Sequence, residues 1–214
     1  MDTRTKETIR YLGYGKCAVD EKTLAMIQDS FQELEEIARV KLIYRIFDLS
    51  FENENCVKIG HLNIESKNLC RNLKGCGKAI LLGATLGVGV DMLAKRYAVT
   101  DMAKAVVLQA AAAAFLEEYL DKWQEKLKHE FAREHTYFRP RFSPGYGDFH
   151  IIYQKEVLDM LEASKQIGLT LTEGYMLAPT KSVTAVIGLS DQNTECHKHG
   201  CETCNKEDCT YRRI

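Results

Sequence analysis

The chain runs AILLGATLGVG from Ala79 to Gly89. The first four of these residues form a short continuous apolar run, which is typical of a buried strand, and the glycines that follow predict that the strand feeds a loop. The glycine spacing does not match the G-x-G-x-x-G fingerprint of dinucleotide-binding folds. The stretch therefore favours close packing of a strand on a helix over phosphate binding.

Further strands are predicted on both sides of this run, where β-branched and aromatic residues are dense. They cover residues 40–47, 57–64, 169–173 and 182–189, with a connecting turn at residues 52–55. Pro179 lies between the last two strands and is predicted at an edge or in a loop, because proline cannot donate to a sheet ladder.

Helices are predicted where apolar residues recur at steps of three and four. Asp20 is predicted to cap one helix, and Asp101 is predicted to cap the longest helix of the chain. A third helix is predicted over Glu156–Ser164 and ends before Gly168. Helices and strands mix without a regular βαβ rhythm. The pattern predicts an α+β domain over residues 1–190 with a mostly antiparallel sheet, followed by a Cys-rich tail over residues 191–214.

Composition limits the classes of function. The 214 residues are 45% hydrophobic and 28% charged, with a formal net charge of −1. The sequence has no stripe of basic residues, so nucleic acid is not favoured as a partner. The longest apolar run, Ala110–Leu116, is too short to cross a bilayer, and the N-terminus lacks the apolar region of a signal peptide. A cytoplasmic protein that binds neither membrane nor nucleic acid is expected.

The chain contains eight cysteines. In a reducing compartment, metal or redox chemistry explains them better than disulfides do. Four are scattered and predicted to be small buried hydrophobes: Cys17, Cys56, Cys70 and Cys76. The others form a C-x4-C-x2-C-x4-C pattern that predicts a [4Fe–4S] cluster, slightly favoured, or a Zn²⁺ ion, with unligated cysteines as the alternative: Cys196, Cys201, Cys204 and Cys209.

The segment Arg139–Asp148, RPRFSPGYGD, holds two of the three prolines beside two arginines and two glycines. Prolines and glycines make this backbone extended, pinned and then sharply turned, as in a loop shaped around a ligand. Arg141 is available to grip a carboxylate and Tyr146 to cover an apolar or cationic group. A tight surface turn is the alternative interpretation.

Three motifs follow one another along the chain: RFSPGY at Arg141–Tyr146, matching R-x-x-P-G-Y; Leu171-Thr172-Glu173 with Met176 and Pro179; and Ser182-Val183-Thr184. In this order they resemble the S-adenosylmethionine-binding activation (reactivation) domain of cobalamin-dependent methionine synthase. The resemblance covers roughly residues 75 to 190 and implies a curved, twisted sheet flanked by helices.

The resemblance also implies ligand contacts. Arg141 matches the arginine that holds the ligand carboxylate, Ser143 and Gly145 match positions whose backbone lines the nucleoside, and Tyr146 matches the loop aromatic. A contact from the strand after the third motif falls near Ile187, without the usual aromatic. The helix carboxylate that holds the ligand ammonium falls on Ala114, and Glu117, one turn on, is the candidate substitute; a solvated glutamate is the alternative.

The family's chemistry is the reductive methylation of cob(II)alamin by S-adenosylmethionine. The chain has no D-x-H-x-x-G motif for binding a corrinoid, so it is expected to act in trans on methionine synthase or another corrinoid protein, with flavodoxin or ferredoxin as electron donor. Two other functions are open. One is an iron–sulfur protein that delivers electrons to a corrinoid protein without binding S-adenosylmethionine, and the other is a non-catalytic interaction module.

Overall fold

The computed structural model describes residues 1–14, 17–131 and 135–192, which divide into two compact units. The helical unit comprises Met1–Arg39 and Leu86–Lys122, and the sheet unit comprises Val40–Thr85 and the described residues from Trp123 onward. The four tail cysteines, Cys196, Cys201, Cys204 and Cys209, lie outside the described residues. The domain boundary at residue 190 and the metal site therefore stay predictions.

The sheet unit is built on six described strands in the order β3-β2-β1-β4-β8-β5. These are β1 Lys41–Phe51, β2 Cys56–Ile59, β3 Leu62–Glu65, β4 Lys78–Thr85, β5 Tyr137–Phe138 and β8 Ser182–Ser190. β6 Thr170–Leu171 and β7 Leu177–Ala178 form a separate ladder. All of these pairings are antiparallel, which confirms the predicted α+β class.

β4 lies at the centre of the sheet because both of its faces are apolar. Its residues from Ala79 to Leu82 are all 0% exposed, and Ile80 is paired with Ile46 on β1 and with Ile187 on β8. Leu81 and its partner Val186 belong to one buried cluster with residues of three short helices. These helices are α3 Lys67–Asn72, α6 Gln154–Leu161 and α7 Ala163–Ile167, and a 3-10 turn at Ile151–Tyr153 precedes α6.

The helical unit contains α1 Thr3–Tyr11, α2 Glu21–Ile37, α4 Val88–Thr100 and α5 Met102–Phe131 as far as Lys122. The predicted caps are present: Asp20 accepts a hydrogen bond from the Thr23 amide at 2.9 Å, and Asp101 accepts one from the Lys104 amide at 3.1 Å. No helix of the described chain is long and apolar enough to span a bilayer.

The glycines after β4 serve the turn into α4 and its packing. Gly87 precedes α4 with φ +86°, a conformation that favours glycine, and a Cβ on Gly89 would lie 2.9 Å from Cγ2 of Ile37 on α2. The backbone of α4 therefore approaches α2 more closely than a side chain would allow. This arrangement agrees with the predicted packing role of these glycines.

Two predicted elements are each divided in the structure. The single strand predicted over residues 57–64 is a hairpin, because Gly60 adopts φ +60° and turns β2 into β3. The helix predicted over Glu156–Ser164 is interrupted at Glu162, which adopts φ 52° and ψ 36° and forms an ion pair with Arg45. Apolar periodicity continues through both breaks, so it does not reveal them.

Other differences concern lengths and burial. β4 continues through Gly83 to Thr85, and the strand predicted over residues 169–173 is reduced to Thr170–Leu171. α1, α3 and α4 were not predicted.

Cys70 and Cys76 are buried as expected, whereas Cys17 is exposed and Cys56 is only half-buried. The prediction of burial was wrong for Cys17, because this residue lies between α1 and α2 rather than on an apolar face.

Candidate functional site

The segment Arg139–Asp148, here called the proline–glycine loop, runs beside β8 through a β-bulge. Phe138 is paired with Leu189 and Phe142 with Val186, so four steps along the loop correspond to three steps along β8. The extra residue places Pro140 and Arg141 together opposite Ile187. A bulge leaves one residue outside the ladder, which suits a proline because it has no N–H to donate.

Backbone hydrogen bonds hold this part of the loop on β8. The Arg139 amide donates to the Gly188 carbonyl at 2.9 Å. Phe142 and Val186 exchange two bonds, at 2.9 Å from the Phe142 amide and 2.8 Å from the Val186 amide. The backbone on both sides of Arg141 is therefore fixed to the central sheet.

The second half of the loop is a tight turn closed on itself. The Gly145 amide donates to the Phe149 carbonyl at 2.7 Å, the Tyr146 amide to the Ser143 carbonyl at 3.2 Å, and the Phe149 amide to the Tyr146 carbonyl at 3.0 Å. Gly145 adopts φ +94°, which a residue with a side chain reaches only with strain. Pro144 is buried at the start of this turn, and Phe149 is 0% exposed at its end.

Asp148 ties the end of the loop to the start of α3. Its carboxylate accepts hydrogen bonds from the Ser66 hydroxyl at 2.5 Å, the Lys67 amide at 2.9 Å and the Asn68 amide at 3.1 Å. The first amides of a helix have no partner within the helix, so these bonds stabilise both α3 and the loop. Desolvation opposes ionisation of Asp148, but the bonds from Ser66, Asn68 and Lys67 outweigh it and lower its pKa below the ordinary value.

Replacing Asp148 with asparagine is expected to lower the free energy of unfolding by about 1 to 2 kcal/mol at neutral pH. Because the folded-state pKa is lowered, the stabilisation is complete above the unfolded pKa, near the ordinary value of 3.8, and is lost as the pH falls through the folded pKa. Urea unfolding of both proteins between pH 7 and pH 2.5 measures the difference.

Asp159→Asn is the control for this change, because Asp159 is exposed on α6 and pairs with Lys155 one turn away. It should alter stability by less than about 0.5 kcal/mol. If the difference in free energy of unfolding between Asp148→Asn and the original protein stays constant down to the lowest pH, the charge of Asp148 does not support the loop.

The Arg141 side chain is held by a residue that the sequence analysis did not identify. Its Nη1 donates to Oε1 of Gln124 on α5 at 3.0 Å. Arg141 is half-buried, and Gln124 is 9% exposed. Gln124 lies one turn before the buried Leu127, so a polar residue on an apolar helix stripe is the signal that could have identified it.

The other predicted residues of the sheet unit differ in accessibility. The Tyr146 side chain is 68% exposed, so its ring is accessible for contact with a ligand. Ser143 is half-buried and Gly145 is exposed. Ile187 is 0% exposed, so only its backbone can take part in binding in this conformation. The structure thus brings Arg141, Ser143, Gly145 and Tyr146 together on one loop, with Ile187 beside it in the sheet.

Glu117 lies on the part of α5 that belongs to the helical unit. It is half-buried. Burial, first, and the negative charge of Glu117 raise the pKa of Tyr11. Ala114, the position where the resemblance expects a carboxylate, is 2% exposed and forms part of the helical core.

The second and third motifs meet at a buried glutamine, Gln154, at the start of α6. Its Nε2 donates to the Tyr175 carbonyl at 3.1 Å, and its Oε1 accepts from the Thr184 hydroxyl at 3.1 Å. Tyr175 lies in the turn after Thr172 and Glu173, and Thr184 lies on β8. Two sequence motifs that are separate along the chain are therefore joined in the sheet unit.

The described part of the chain contains no group of three or more His, Cys, Asp or Glu residues placed to hold a metal ion. The sheet unit instead offers a rigid loop with a half-buried cation, an exposed aromatic ring and tightly turned backbone. Such a combination is suited to an elongated ligand that carries a carboxylate.

Comparison with known proteins shows a match to a family model and a likeness of fold to solved structures. The family model of the vitamin B12 dependent methionine synthase activation domain matches residues 79–213, more than half of the chain. A crystal structure of the MetH reactivation domain bound to AdoHcy has the same fold, with a TM-score of 0.61 and 16% sequence identity over 89% of this chain and 76% of that chain. The chain has no significant match among curated protein sequences.

Proposed function

The chain belongs to the family of vitamin B12-dependent methionine synthase activation domains, and from this premise we propose that it binds S-adenosylmethionine and presents its methyl group to a corrinoid protein. The observation that carries the proposal is the proline–glycine loop. The family's R-x-x-P-G-Y motif lies at Arg141–Tyr146, on a backbone fixed by hydrogen bonds to β8, and the solved structure of similar fold is of a domain bound to AdoHcy.

Each proposed ligand contact has a chemical reason. Arg141 binds the ligand carboxylate through charge-assisted hydrogen bonds. The Tyr146 ring is exposed and is therefore accessible to cover the ligand. The backbone of Ser143, Gly145 and Ile187 lines the nucleoside. Glu117 is proposed for the ligand ammonium on the basis of the resemblance and of its charge.

The proposed role in catalysis is positional. The cobalt of a corrinoid partner supplies the nucleophile, and S-adenosylmethionine supplies the methyl group and leaves as a neutral thioether. No side chain of this chain needs to donate or accept a proton, and a preorganised site contributes by holding the reacting groups at the right distance. Methionine synthase or another corrinoid protein is the proposed partner, and flavodoxin or ferredoxin the proposed electron donor.

Calorimetric titration with S-adenosylmethionine and with S-adenosylhomocysteine tests the proposal. Saturable binding of both ligands at a stoichiometry near one per chain is the expected result. If neither ligand produces heat or shifts the unfolding midpoint at millimolar concentration, the proposal is wrong. The alternative function, electron delivery without S-adenosylmethionine binding, would then be the better explanation.

The metal site of the tail stays a separate proposal from the spacing of its cysteines. A [4Fe–4S] cluster at Cys196, Cys201, Cys204 and Cys209 would supply the electron that reductive methylation needs, whereas a Zn²⁺ ion would order the segment. Analysis of iron, labile sulfide and zinc in the purified protein distinguishes the two.

A further inference from the structure

Tyr175 lies in a strained turn that connects β6 to β7. Its φ is +58°, a left-handed conformation that is costly for a bulky residue, although Gly174 beside it could adopt it freely. Such strain persists only where the surrounding contacts impose it, and it is concentrated at functional sites. The conformation therefore points to a role for the side chain that it orients.

Hydrogen bonds on both sides of the turn impose this conformation. The Tyr175 amide donates to the Thr172 carbonyl at 3.0 Å, the Thr172 amide to the Met176 carbonyl at 2.9 Å, and the Met176 amide to Oγ1 of Thr172 at 3.1 Å. The Tyr175 carbonyl accepts from Gln154, which is 5% exposed and also bonds to Thr184 on β8. Because both ends of this buried amide are satisfied, it holds the turn against the sheet in one orientation.

The turn directs large side chains to the surface near the proline–glycine loop. Tyr175 is 36% exposed and Met176 is 66% exposed. The loop is attached to Phe149 through the Gly145 amide, and the turn is attached to Gln154, five residues further along the chain. Five residues span at most about 18 Å, so the turn and the loop are anchored close together.

The chemistry of the proposed reaction brings a large group against this surface. Methyl transfer breaks the bond between the methyl carbon and the sulfonium and forms a bond from that carbon to cobalt, with the electron pair supplied by cob(I)alamin. The reacting atoms must come within about 3 to 3.5 Å. A corrin macrocycle and the protein that carries it are much wider than a methyl group, so they also cover side chains beside the loop. Tyrosine and methionine suit this role because both are enriched in protein interfaces.

We propose that the Gly174–Met176 turn is a preorganised contact for the corrinoid partner, B12-dependent methionine synthase. Tyr175 is the contact side chain, and Gln154 is the positioning residue that holds the turn. The inference rests on the proposed function, because it requires a corrinoid protein to approach the proline–glycine loop. It assigns the turn to the partner and not to S-adenosylmethionine.

The test separates the side chain of Tyr175 from its backbone strain. Tyr175→Gly and Tyr175→Ala remove the same ring, but only glycine adopts the positive φ without strain. Gln154→Met removes the hydrogen bonds that hold the turn. Phe51→Ala is the control, because it removes an aromatic side chain of similar exposure, 41%, from β1.

Three quantities are measured for each protein. The first is the midpoint of urea unfolding, and the second is the affinity for S-adenosylhomocysteine. The third is the KM for a methionine synthase that carries cob(II)alamin and is truncated before its own activation domain. In that assay S-adenosylmethionine is the methyl donor and titanium(III) citrate is the reductant.

Tyr175→Gly and Tyr175→Ala are both expected to raise the KM for the truncated methionine synthase about five-fold to ten-fold, with the affinity for S-adenosylhomocysteine within about two-fold of the original. Tyr175→Gly should unfold at a higher urea concentration than Tyr175→Ala, because glycine relieves the strain. Gln154→Met should also raise the KM and leave the affinity within about two-fold. Phe51→Ala should match the original protein in KM and affinity.

An unchanged KM in both Tyr175 variants would overturn the inference, and so would an equal loss of affinity for S-adenosylhomocysteine, which would assign the turn to the ligand site. Equal urea midpoints for the two variants would show that Tyr175 is not strained and would remove the basis of the inference. An unchanged KM in a folded Gln154→Met protein would show that Gln154 does not position the turn. If this variant does not fold, the Tyr175 variants decide the matter.

Failure of the proposed function is recognised separately. In that case the unsubstituted protein binds neither S-adenosylmethionine nor S-adenosylhomocysteine. If the unsubstituted protein binds both ligands but does not methylate the cobalamin of the truncated methionine synthase, the inference about the partner is overturned while the ligand site stands.

Discussion

Replacing Arg141 with alanine is expected to weaken binding of S-adenosylhomocysteine by at least roughly 30-fold while leaving the fold intact. Removing the charged partner of a carboxylate in a partly buried site costs about 2 to 5 kcal/mol, which corresponds to a loss of affinity of roughly 30-fold to several thousand-fold. The fold should persist because Arg141 is half-buried and its neighbours Arg139 and Phe142 are attached to β8 through backbone atoms. Calorimetric titration measures the affinity.

Arg71→Ala is the matched control, because Arg71 is exposed on α3 in the same unit. Its affinity for the ligand should remain within about two-fold of that of the original protein. If Arg141→Ala binds S-adenosylhomocysteine as tightly as this control does, the carboxylate is held elsewhere and the assignment of Arg141 is wrong.

Replacing Phe149 with alanine is expected to lower the free energy of unfolding by about 3 to 5 kcal/mol. The ring is 0% exposed and lies between Phe142, at 6.2 Å between ring centroids, and Tyr153, at 5.8 Å. Loss of the ring leaves a cavity in the core beneath the proline–glycine loop. The loop is attached to this core because the Gly145 amide donates to the Phe149 carbonyl. Urea unfolding followed by circular dichroism measures the change.

Phe51→Ala provides the comparison, because Phe51 is 41% exposed on β1. Its substitution should cost less than about 1.5 kcal/mol. Equal losses for the two variants would mean that Phe149 contributes no more than a surface aromatic residue, and that the loop is held by its hydrogen bonds alone. Ligand affinity of Phe149→Ala should also fall, because the turn beneath Tyr146 loses its support.

Local sequence signals predicted much of the fold. The caps at Asp20 and Asp101 were identified because a short acidic side chain before an apolar helix can satisfy the first free amides of that helix. The central strand was identified at Ala79–Leu82 because its run of apolar residues requires burial on both faces. The Arg141–Tyr146 loop was identified because its prolines and glycines restrict the backbone in a recognisable way.

The contacts that shape the candidate site could not be read from such signals. Asp148 accepts a hydrogen bond from Ser66, which lies 82 positions away in the sequence. Gln124 on α5 accepts one from Arg141 on the bulged loop. The break of the α6–α7 segment at Glu162 likewise accompanies an ion pair with Arg45, 117 positions away. Each contact depends on the packing of distant segments and not on the composition of either one.

The sequence by itself thus determined the types of element, the motifs of the loop and the family resemblance, because these depend on neighbouring residues and their order. Only the tertiary structure decided that the loop bulges opposite Ile187, that Tyr146 is exposed, and that Gln124 holds Arg141. The physical reason is that strand register and side-chain burial are set when separate segments pack together, and a single segment carries no information about its partners' positions.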